Sequence, residues 1–471
     1  MAAGRLIFIL AVSFLAGALG ASFGWNFYLV GGLWTAIQVA AIFYRQASKL
    51  TALIALLVLL GGFGYYHFYV NWRTLRLNLP ENSSVKWRGI IIAEPKQYES
   101  VQGLEVKLRM PFYGRVRIIT GPEKLWRYGD LLELRGDIQP GQIAADPPVS
   151  FFPEIEFISA NHGFWLKHRL LNFRNAILGI FHRHLPEDSA KLLGGLTLGA
   201  RSEFDPGLRE AMRASGTTHL VALSGYNISI LVWALAAALG RWLSRRWTFT
   251  LTTAIIVLFV LMTGAEPSIV RAALMGFLVL LARERGRIYS MENAITLTAL
   301  IMVVIDPTVL GYNLGFQLSF LSLLGIVYLA PALHNVLRLK AEPGFLSWRE
   351  NLVNTIAAQL AVLPLLVQSF GGFSLTAFLA NTLILGIVPI TMFLGFIIGA
   401  IGFISAFLAG LFGWLANVVL NYQLAVIRFF AEISIPVSLP FDLSGSFLGV
   451  IIYYGMLLAF TFMFTVKSTA K

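Results

Sequence analysis

The sequence predicts a polytopic α-helical membrane protein with a small all-β domain inserted between membrane segments. Hydrophobic residues make up 57% of the 471 positions, charged residues make up 13%, and the mean hydropathy is +0.72. Uncharged runs long enough to cross about 30 Å of hydrocarbon recur along the chain. Residues 73–160 differ, because they break into short alternating runs that are typical of strands.

Composition excludes some chemistry. The chain has no cysteine, which rules out disulfides, cysteine metal sites and thiol catalysis. Its 36 lysines and arginines against 24 acidic residues give a net charge of +12. In a membrane protein such an excess normally marks cytoplasmic loops, so it is weak evidence for a nucleic-acid partner.

Residues 1–72 are predicted to form a membrane anchor of about three helices, at 5–24, 26–44 and 50–70. The first segment has features of a signal peptide, but a second apolar segment follows at once, which favours a retained anchor. Arg45 and Lys49 place the loop after the second segment, and the N-terminus, in the cytoplasm. The third segment then ends outside, so the next domain is expected to be extracytoplasmic.

Residues 73–160 predict about five short strands in a β barrel or sandwich of the OB type. Alternation places Glu105, Lys107 and Arg109 on the outward face of one strand, and Arg115 and Arg117 are predicted to share that face. Basic and aromatic side chains together can bind single-stranded nucleic acid. The candidate DNA-binding set is Lys107, Arg109, Arg115, Arg117, Trp87 and Tyr113.

An ordinary solvated face is the competing interpretation of this surface. Residues 73–160 hold 12 basic and 11 acidic residues, a net charge of only +1. Proximity of aromatic and basic residues in the sequence does not by itself distinguish a binding surface from a soluble one.

Residues 161–215 are predicted to form amphipathic interfacial helices. Residues 164–185 carry apolar positions at helical spacing with basic residues between them, which is typical of a helix lying on a membrane surface. We expect this helix on the outer side, because the next span starts there. A less regular helical stretch follows from about 188 to 215.

Residues 216–471 are predicted to form a bundle of about nine spans. Loop arginines fall on the cytoplasmic side in alternate loops, provided that 376–404 crosses once as a span kinked near Pro389. The predicted spans are 219–239, 248–265, 268–282, 292–306, 313–330, 352–370, 376–404, 406–428 and 445–465.

The stretch GTTHLVALSGYNISIL, residues 216–231, is the most unusual part of the bundle. Ser224 and Gly225 interrupt an apolar helical pattern, with His219 before the interruption and Asn227 after it. Backbone groups freed at such a break must be satisfied by protein or by water. A conduit or a buried site is therefore predicted here.

Arg271 lies one turn into a predicted span that begins after Glu266 and Pro267. An arginine deep in hydrocarbon costs about 2.5–3.5 kcal/mol on insertion scales, so it usually faces a bundle interior or an aqueous path. The alternative is that Arg271 extends to the outer interface and pairs with Glu266.

Polar residues interrupt two later segments. Gln317 and Ser319 lie in an otherwise apolar helix, where they can join helices or line a pore. Asn381 lies in an apolar run between Pro364 and Pro389, and broken helices of this kind often mark a transport path.

No catalytic residue, metal site or cofactor is predicted. The sequence has no phosphate-binding loop and no dinucleotide fingerprint after a strand. His182 and His184 have the spacing of a metal-binding pair, but the other histidines supply no completing pair.

Four segments carry a family resemblance. They are THLVALSGYNIS at 218–229, EPSIVRAALM at 266–275, GFQLSFLSLLG at 315–325, and Asn381 with Pro364 and Pro389. Their motifs and order, over nearly the whole chain, resemble those of the ComEC family, membrane channels that bring DNA into naturally competent bacteria.

The resemblance implies that one DNA strand crosses the cytoplasmic (inner) membrane through a pore after the outer β domain receives it. The residues expected to line or shape the path are His219, Ser224, Gly225, Asn227, Glu266, Arg271, Gln317, Ser319 and Asn381. The residues expected to break helices are Pro267, Pro364 and Pro389.

Partners are also implied by the resemblance: single-stranded DNA, the bilayer, an outer DNA receptor, a cytoplasmic ATPase and a separate nuclease. Longer relatives carry a metallo-β-lactamase-like domain, whereas this sequence ends at Lys471 without a His-x-His-x-Asp-His motif. We therefore expect no nuclease activity of its own.

Two other classes of function compete with a DNA channel. A transporter of a small solute or lipid would use the same broken helices around a closed cavity. A membrane-embedded hydrolase or polymerase needs converging carboxylates or a nucleophile with its base, and the acidic residues of the bundle are isolated near the ends of spans.

Overall fold

The structure is a computed structural model that describes residues 3–25, 49–79, 86–97, 100–141, 146–200, 204–221, 223–337, 348–434, 436–437 and 447–466. This part of the chain is mostly helical and carries one seven-stranded sheet, which confirms the predicted fold class. The span predicted at 26–44 lies outside the described residues.

The chain divides into two compact units. The first comprises Met1–Asn172, Ala236–Glu266 and Val270–Gln317. The second comprises Phe173–Leu235, Pro267–Ile269 and Leu318–Lys471.

Two N-terminal helices of the first unit, α1 (Ala3–Ser22) and α2 (Lys49–Leu75), pack closely against each other. A methyl group added at Gly17 would collide with the Leu59 carbonyl, and one added at Gly62 would collide with the Phe14 carbonyl. Small residues stabilise helix pairs in lipid because they let the backbones approach. The two glycines therefore determine the spacing of this pair.

The β domain of the first unit contains all five predicted strands and two shorter ones. Its strands pair in the order β6-β4-β3-β1-β5-β7, and β2 pairs with β3. The bounds are β1 (Lys86–Ile91), β2 (Lys96–Gln97), β3 (Gln102–Leu108), β4 (Arg115–Thr120), β5 (Leu131–Arg135), β6 (Val149–Phe151) and β7 (Glu154–Ser159). Strands β2 and β6 are too short to show an alternating pattern in the sequence.

Inward side chains of β1, β3, β4 and β5 form the core of the β domain. On β3 the residues Leu104, Val106 and Leu108 are buried, as the alternation predicted. Burying side chains of this size stabilises a fold by about 1.5–3 kcal/mol each. The core residues are Trp87, Ile91, Leu104, Val106, Leu108, Val116, Ile118, Trp126, Leu132 and Leu134.

Helices occupy the described chain from residue 165 onwards, apart from short connections and one two-stranded sheet. Every span predicted after residue 216 coincides with a helix or with a pair of helices. The bounds are α3 (Trp165–His184), α4 (Glu187–Leu198), α5 (Pro206–Ala214), α6 (Thr218–Val221), α7 (Gly225–Gly240), α8 (Arg245–Met262), α9 (Pro267–Glu284), α10 (Met291–Ile305), α11 (Val309–Tyr312), α12 (Leu314–Leu324), a π-helical turn (Gly325–Leu329), α13 (Ala330–Leu337), α14 (Trp348–Phe370), β8 (Phe373–Ser374), α15 (Ala377–Leu385), α16 (Val388–Ile401), α17 (Ala406–Glu432), β9 (Pro436–Val437) and α18 (Phe447–Val466).

Six helices of the described chain are long and apolar enough to cross a membrane, or seven if α15 and α16 form one bent span. The six are Lys49–Leu75, Thr218–Gly240, Arg245–Met262, Leu314–Leu337, Trp348–Phe370 and Ala406–Glu432. Shorter apolar helices lie at Leu6–Ser22, Met291–Ile305 and Gly449–Phe464. The protein is therefore a multi-pass membrane protein.

Helix α4 is buried within the second unit. Every residue from Ser189 to Leu198 is buried except Lys191. A methyl group at Gly395 of α16 would lie 2.8 Å from the Leu193 and Thr197 side chains, and Ser189 Oγ donates to Asn417 Oδ1 of α17 at 2.8 Å. An interfacial helix needs an exposed polar face, so the interfacial prediction for 161–215 does not describe α4.

The bent pair α15–α16 runs from one end of the second unit to the other. Its two helices differ in direction by 49°. Strands β8 and β9 pair, so the end of α14 lies beside the end of α17. Because α17 has 27 residues and is therefore about 40 Å long, its start lies at the opposite end. The pair that connects α14 to α17 therefore runs between the two ends of the unit, and the single crossing of the membrane by 376–404 stays a prediction.

The second half of α3 packs at the end of the unit where α16 turns into α17. The Phe173 ring stacks on Phe403 with 5.9 Å between centroids, and a methyl group at Gly413 would lie 2.9 Å from the His184 carbonyl. The sequence predicted an outer position for α3 and a cytoplasmic position for the α16–α17 turn. Because the two segments are in contact, these expectations cannot both hold.

Cysteine labelling tests this arrangement in a chain that has no cysteine of its own. Arg183 and Ile404 are both exposed near the α16–α17 turn, and Leu375 is exposed near β8. We predict that a membrane-impermeant maleimide labels Arg183→Cys and Ile404→Cys from one side of the membrane and Leu375→Cys from the other. Labelling of the first two variants from opposite sides would contradict the packing of α3 on this turn.

Candidate functional site

The break between α6 and α7 is closed by its own polar residues. Ser224 precedes α7, and its Oγ accepts a hydrogen bond from the Asn227 backbone N–H at 3.3 Å. The same hydroxyl donates to Asn227 Oδ1 at 3.0 Å. A serine before the first helical turn satisfies one of the N–H groups that lack intrahelical partners, so the Ser-Gly-Tyr-Asn sequence begins a helix.

Asn227 joins this helix start to the end of α4. Its side chain is 2% exposed, and Nδ2 donates to the Leu196 carbonyl at 3.0 Å. The last carbonyls of a helix lack intrahelical donors. Gly199, at φ +70°, donates to the Gly195 carbonyl, and Ala200 donates to the Gly194 carbonyl. Asn227 thus supplies the partner that Leu196 lacks.

The beginning of α9 meets the same break. Ser268 Oγ donates to the Leu223 carbonyl at 3.4 Å, and Pro267 occupies the first turn of α9. Leu223 also packs against Gly199, where an added methyl group would lie 2.7 Å from its side chain. The motif at 218–229 therefore meets Pro267–Ile269, the part of the motif at 266–275 that belongs to the second unit.

The remaining residues of these motifs differ in exposure. His219 is exposed on the short helix α6, Gly225 is half-buried, and Glu266 is half-buried just before α9. Arg271 is 8% exposed, and its Nη1 lies 3.8 Å from Met275 Sδ. This burial favours the interpretation that Arg271 faces protein over the one in which it extends to the interface.

Gln317 closes the turn that precedes its own helix. Its Nε2 donates to the Leu310 carbonyl at 2.8 Å and to the Gly311 carbonyl at 2.9 Å. Asn313 Oδ1 accepts from the Phe316 backbone N–H at 2.9 Å, which caps the start of α12. Ser319 is buried. Gln317 and Asn313 therefore stabilise the turn and the helix start, a use that the predicted alternatives of helix contact and pore lining did not include.

Buried amides lie along the bent pair and the helix beside it. Asn381 of α15 is 0% exposed, and neither atom of its amide has a hydrogen-bond partner within the described chain. Gln423 of α17 donates through Nε2 to Thr391 Oγ1 of α16 at 2.9 Å. Leaving a buried polar group without a partner costs about 1–3 kcal/mol. Asn381 therefore carries a cost that packing alone does not explain.

Pro364 does not break its helix, contrary to the prediction, because α14 runs from Trp348 to Phe370 without interruption. A proline within a helix removes the donor for the carbonyl four residues earlier, which is that of Leu360. Tyr453 of α18 donates its hydroxyl to that carbonyl at 2.6 Å. By contrast, Pro389 lies in the first turn of α16, directly after the bend, as the sequence predicted.

The outward face of β3 and β4 carries the predicted charges. Across the two strands Lys107 lies opposite Arg115, and Glu105 lies opposite Arg117. Arg109 and Tyr113 are also exposed. Like charges directly opposite each other destabilise a sheet, and an anion between them offsets that repulsion.

Trp87 is wrongly placed in the candidate DNA-binding set. Its side chain is 1% exposed and belongs to the core of the β domain. Lys86 and Arg88 flank it and face solvent, so alternation along β1 points Trp87 inward. That signal was present in the sequence.

Lys167 connects the start of α3 to the β domain, a contact that sequence reasoning missed. Its Nζ donates to the Ile92 carbonyl at 3.0 Å and lies 4.6 Å from the centre of the Tyr128 ring. Burial lowers the pKa of Lys167, although Glu105 and Glu94 oppose that shift. Elsewhere on the domain, hydrogen bonds from Lys86 and Arg88 lower the pKa of Glu133.

Within each unit the structure brings some predicted residues together and leaves others apart. Ser224, Gly225, Asn227 and Pro267 lie around one break, whereas Gln317 serves a separate turn. Among the described residues, no group of three or more His, Asp or Glu side chains is arranged to hold a metal ion. Tyr453 was missed because a tyrosine in an apolar span carries no signal of the carbonyl that it serves.

Comparisons with known proteins agree with the resemblance seen in the motifs. Residues 196–467, more than half of the chain, match the family described as "Competence protein". ComE operon protein 3 of Bacillus subtilis (strain 168) is 30% identical over 219 residues, which cover 46% of this chain and 27% of that relative. No solved structure matches the chain.

Replacing Asn227 tests its structural contact. Asn227→Ala removes the donor to the Leu196 carbonyl, so we predict a loss of about 1–3 kcal/mol in stability, seen as a lower midpoint of thermal unfolding in detergent. Ser229→Ala is the matched control, because the exposed Ser229 hydroxyl bonds only within its own helix. An unchanged midpoint in Asn227→Ala would show that this hydrogen bond does not hold α4 to α7.

A double-mutant cycle tests the pairing of Tyr453 with Pro364. Tyr453→Phe should destabilise the native protein by about 1–3 kcal/mol, because the half-buried Leu360 carbonyl loses its donor. In a Pro364→Ala background the new backbone N–H serves that carbonyl, so the same substitution should cost much less. Equal costs in the two backgrounds, measured by thermal unfolding, would refute the pairing.

Proposed function

The chain belongs to the Competence protein family, whose members are membrane proteins implicated in DNA uptake, and from that premise we propose that it carries single-stranded DNA across the cytoplasmic membrane. The matched relative is about four times longer than the aligned stretch, which covers 27% of it. The proposal concerns strand passage, and a separate nuclease is proposed as the partner that degrades the other strand.

One observation supports this proposal above the others. The family match begins at Leu196, the residue whose carbonyl Asn227 binds, and it continues through the α6–α7 break and the bent pair. The region that matches the family thus contains the helix discontinuities. Discontinuous helices in a bundle are common where a membrane protein binds or conducts its substrate.

The chemistry of the cargo determines which groups suit a path. A polyanion requires basic or hydrogen-bonding groups, and conduction requires contacts weak enough for the strand to leave. Arg271 is the buried cation that we assign to the path. His219, Ser224, Gly225, Glu266, Gln317 and Ser319 are proposed to shape it, and the Asn381 amide is proposed to contact the strand or its water.

The β domain is proposed to receive DNA on the face formed by Lys107, Arg109, Arg115 and Arg117, with Tyr113 beside them. Phosphate contacts and aromatic stacking give sequence-tolerant binding to single strands. The proposal places this domain on the outer side of the membrane with an outer DNA receptor. It places a cytoplasmic ATPase, which supplies the driving force, on the other side.

A transporter of a small solute or lipid is the second candidate. Asn381 is fully buried and unbonded within the described chain, which favours a compact enclosed site over a wide passage. Such a transporter would bind its substrate at the bent pair and would show no requirement for the basic face of the β domain.

Uptake measurements on Arg271 variants test the proposed path. We predict that Arg271→Gln, at normal protein level, lowers transformation at least roughly tenfold, as expected from losing one charge-assisted contact of about 1.5–3 kcal/mol. Arg271→Lys should retain more activity because it keeps a positive charge. Arg287→Gln, at an exposed loop arginine, is the matched control.

Unimpaired transformation in Arg271→Gln would remove this residue from the path. A loss in Arg287→Gln as large as that in Arg271→Gln would show that the effect follows from total charge, and it would equally count against an assigned role for Arg271.

A further inference from the structure

A polar cavity of about 240 Å³ lies between the β domain and the membrane helices of the first unit. One wall is the outward face of β3 and β4, with Glu105, Arg115 and Arg117. The opposite wall is the end of α2, with Arg73, and the connection from Asp306 to Asn313.

Hydrogen bonds fix the helical wall of this cavity. Tyr65 of α2 donates its hydroxyl to the Val304 carbonyl at 2.6 Å, and Tyr312 donates to the Ser22 carbonyl at 2.8 Å. Asp306 Oδ1 accepts from the Thr308 N–H at 3.0 Å and from the Thr308 hydroxyl at 2.6 Å. The connection is therefore pre-formed, and Asp306 already has partners.

The strand wall is held in the same way. Arg117 donates its backbone N–H to the Pro148 carbonyl at 2.8 Å, and β4 pairs in parallel with β6. This pairing holds Asp146 and Pro147 at the rim of the cavity. A neighbouring cavity of about 260 Å³ shares Glu105 and Arg117, so a groove continues across the β domain.

The formal charges of the side chains that line the cavity sum to zero. Three arginines and three carboxylates line it. Among the described residues, no ion pair joins these arginines to these carboxylates. Guanidinium groups that are not engaged by a carboxylate are available to contact phosphate. The carboxylates repel a polyanion and so limit how tightly it is held.

We propose that this cavity is a weak transit site for the phosphodiester backbone of single-stranded DNA, where Arg73, Arg115 and Arg117 contact phosphate while Glu105 and Asp146 keep the strand from being trapped. The inference rests on the proposed function, because it names the place where the strand passes from the β domain to the helices. It adds Arg73 to the residues that contact the cargo. It also gives the two acidic residues a part in release.

The experiment measures binding of a fluorescein-labelled oligothymidylate of about 20 nucleotides, longer than the site of one OB domain, to the purified full chain in nanodiscs. Fluorescence anisotropy is followed from about 50 to 200 mM salt. Four variants alter the cavity: Arg73→Gln, Arg117→Gln, Glu105→Gln and Asp146→Asn. Arg135→Gln and Glu154→Gln are matched controls on β5 and β7, at the other end of the strand order.

Opposite effects are expected from the two kinds of variant. Each arginine variant should weaken binding of the oligonucleotide about three- to tenfold. The logarithm of the association constant should also fall less steeply with the logarithm of the salt concentration, by about 0.7 in slope. Each carboxylate variant should tighten binding about threefold or more, because it removes one charge repulsion. The controls should change binding less than about twofold, and Arg73→Lys should stay close to the native affinity.

Two results would overturn the proposal: arginine variants that bind like the controls, or carboxylate variants that bind no tighter than the native chain. If Arg73→Gln does not fold, Arg117→Gln and the two carboxylate variants keep the test decisive, because each makes the same prediction for the cavity. If binding follows the expected pattern but cells lacking the chain still take up DNA, then the proposed function fails while the binding site stands.

Discussion

In the low-dielectric interior of a membrane bundle, a backbone carbonyl without a donor is costly, and the arrangement of the second unit depends on how one such carbonyl is satisfied. The end of α4 leaves the Leu196 carbonyl without an intrahelical partner, and Asn227 from the start of α7 supplies it. Ser224 then caps α7 through the same asparagine. The Asn227 amide therefore joins the end of the buried helix α4 to the start of α7, where the span continues after the break.

The same solution recurs elsewhere in the bundle. Tyr453 serves the carbonyl that Pro364 leaves free, and Gln317 serves two carbonyls at the turn before α12. In each case a polar side chain inside an apolar helix satisfies the backbone. Loss of activity on mutating such a residue is therefore not evidence that it touches cargo, and stability must be measured beside uptake. Asn381 is the contrasting case, because its buried amide has no partner within the described chain.

Hydropathy and strand alternation were sufficient to predict the helices after residue 216 and the five main strands, because burial in lipid and burial on one face of a sheet both leave periodic signals. The motif at 218–229 correctly indicated a break. Its partner was not predictable, since nothing in the sequence of α4 identifies Leu196 as the carbonyl to be served. Likewise, a proline in an apolar run predicts a broken helix. The tyrosine that satisfies the carbonyl left free by Pro364 is Tyr453, which lies 89 positions later, so the sequence does not link the two.

Other errors have equally local causes. Trp87 was assigned to a binding surface from its proximity to basic residues, although the alternation of Lys86 and Arg88 already indicated the core. Helix α4 was included in the interfacial segment 161–215 together with the amphipathic stretch 164–185, whereas its residues from Ser189 to Leu198 are buried except Lys191. The orientation of α3 depended on counting spans, and counting does not detect that α3 contacts the α16–α17 turn.

Reconstitution in vesicles shows whether this chain passes single-stranded DNA through a membrane. Purified protein would be placed in sealed vesicles, with a labelled single-stranded oligonucleotide outside and an exonuclease specific for single strands trapped inside. We expect the nuclease to release label from the single strand only when the protein is present, and a blunt duplex of the same sequence to remain intact. Absence of release from the single strand, with the protein folded and inserted, would contradict this expectation.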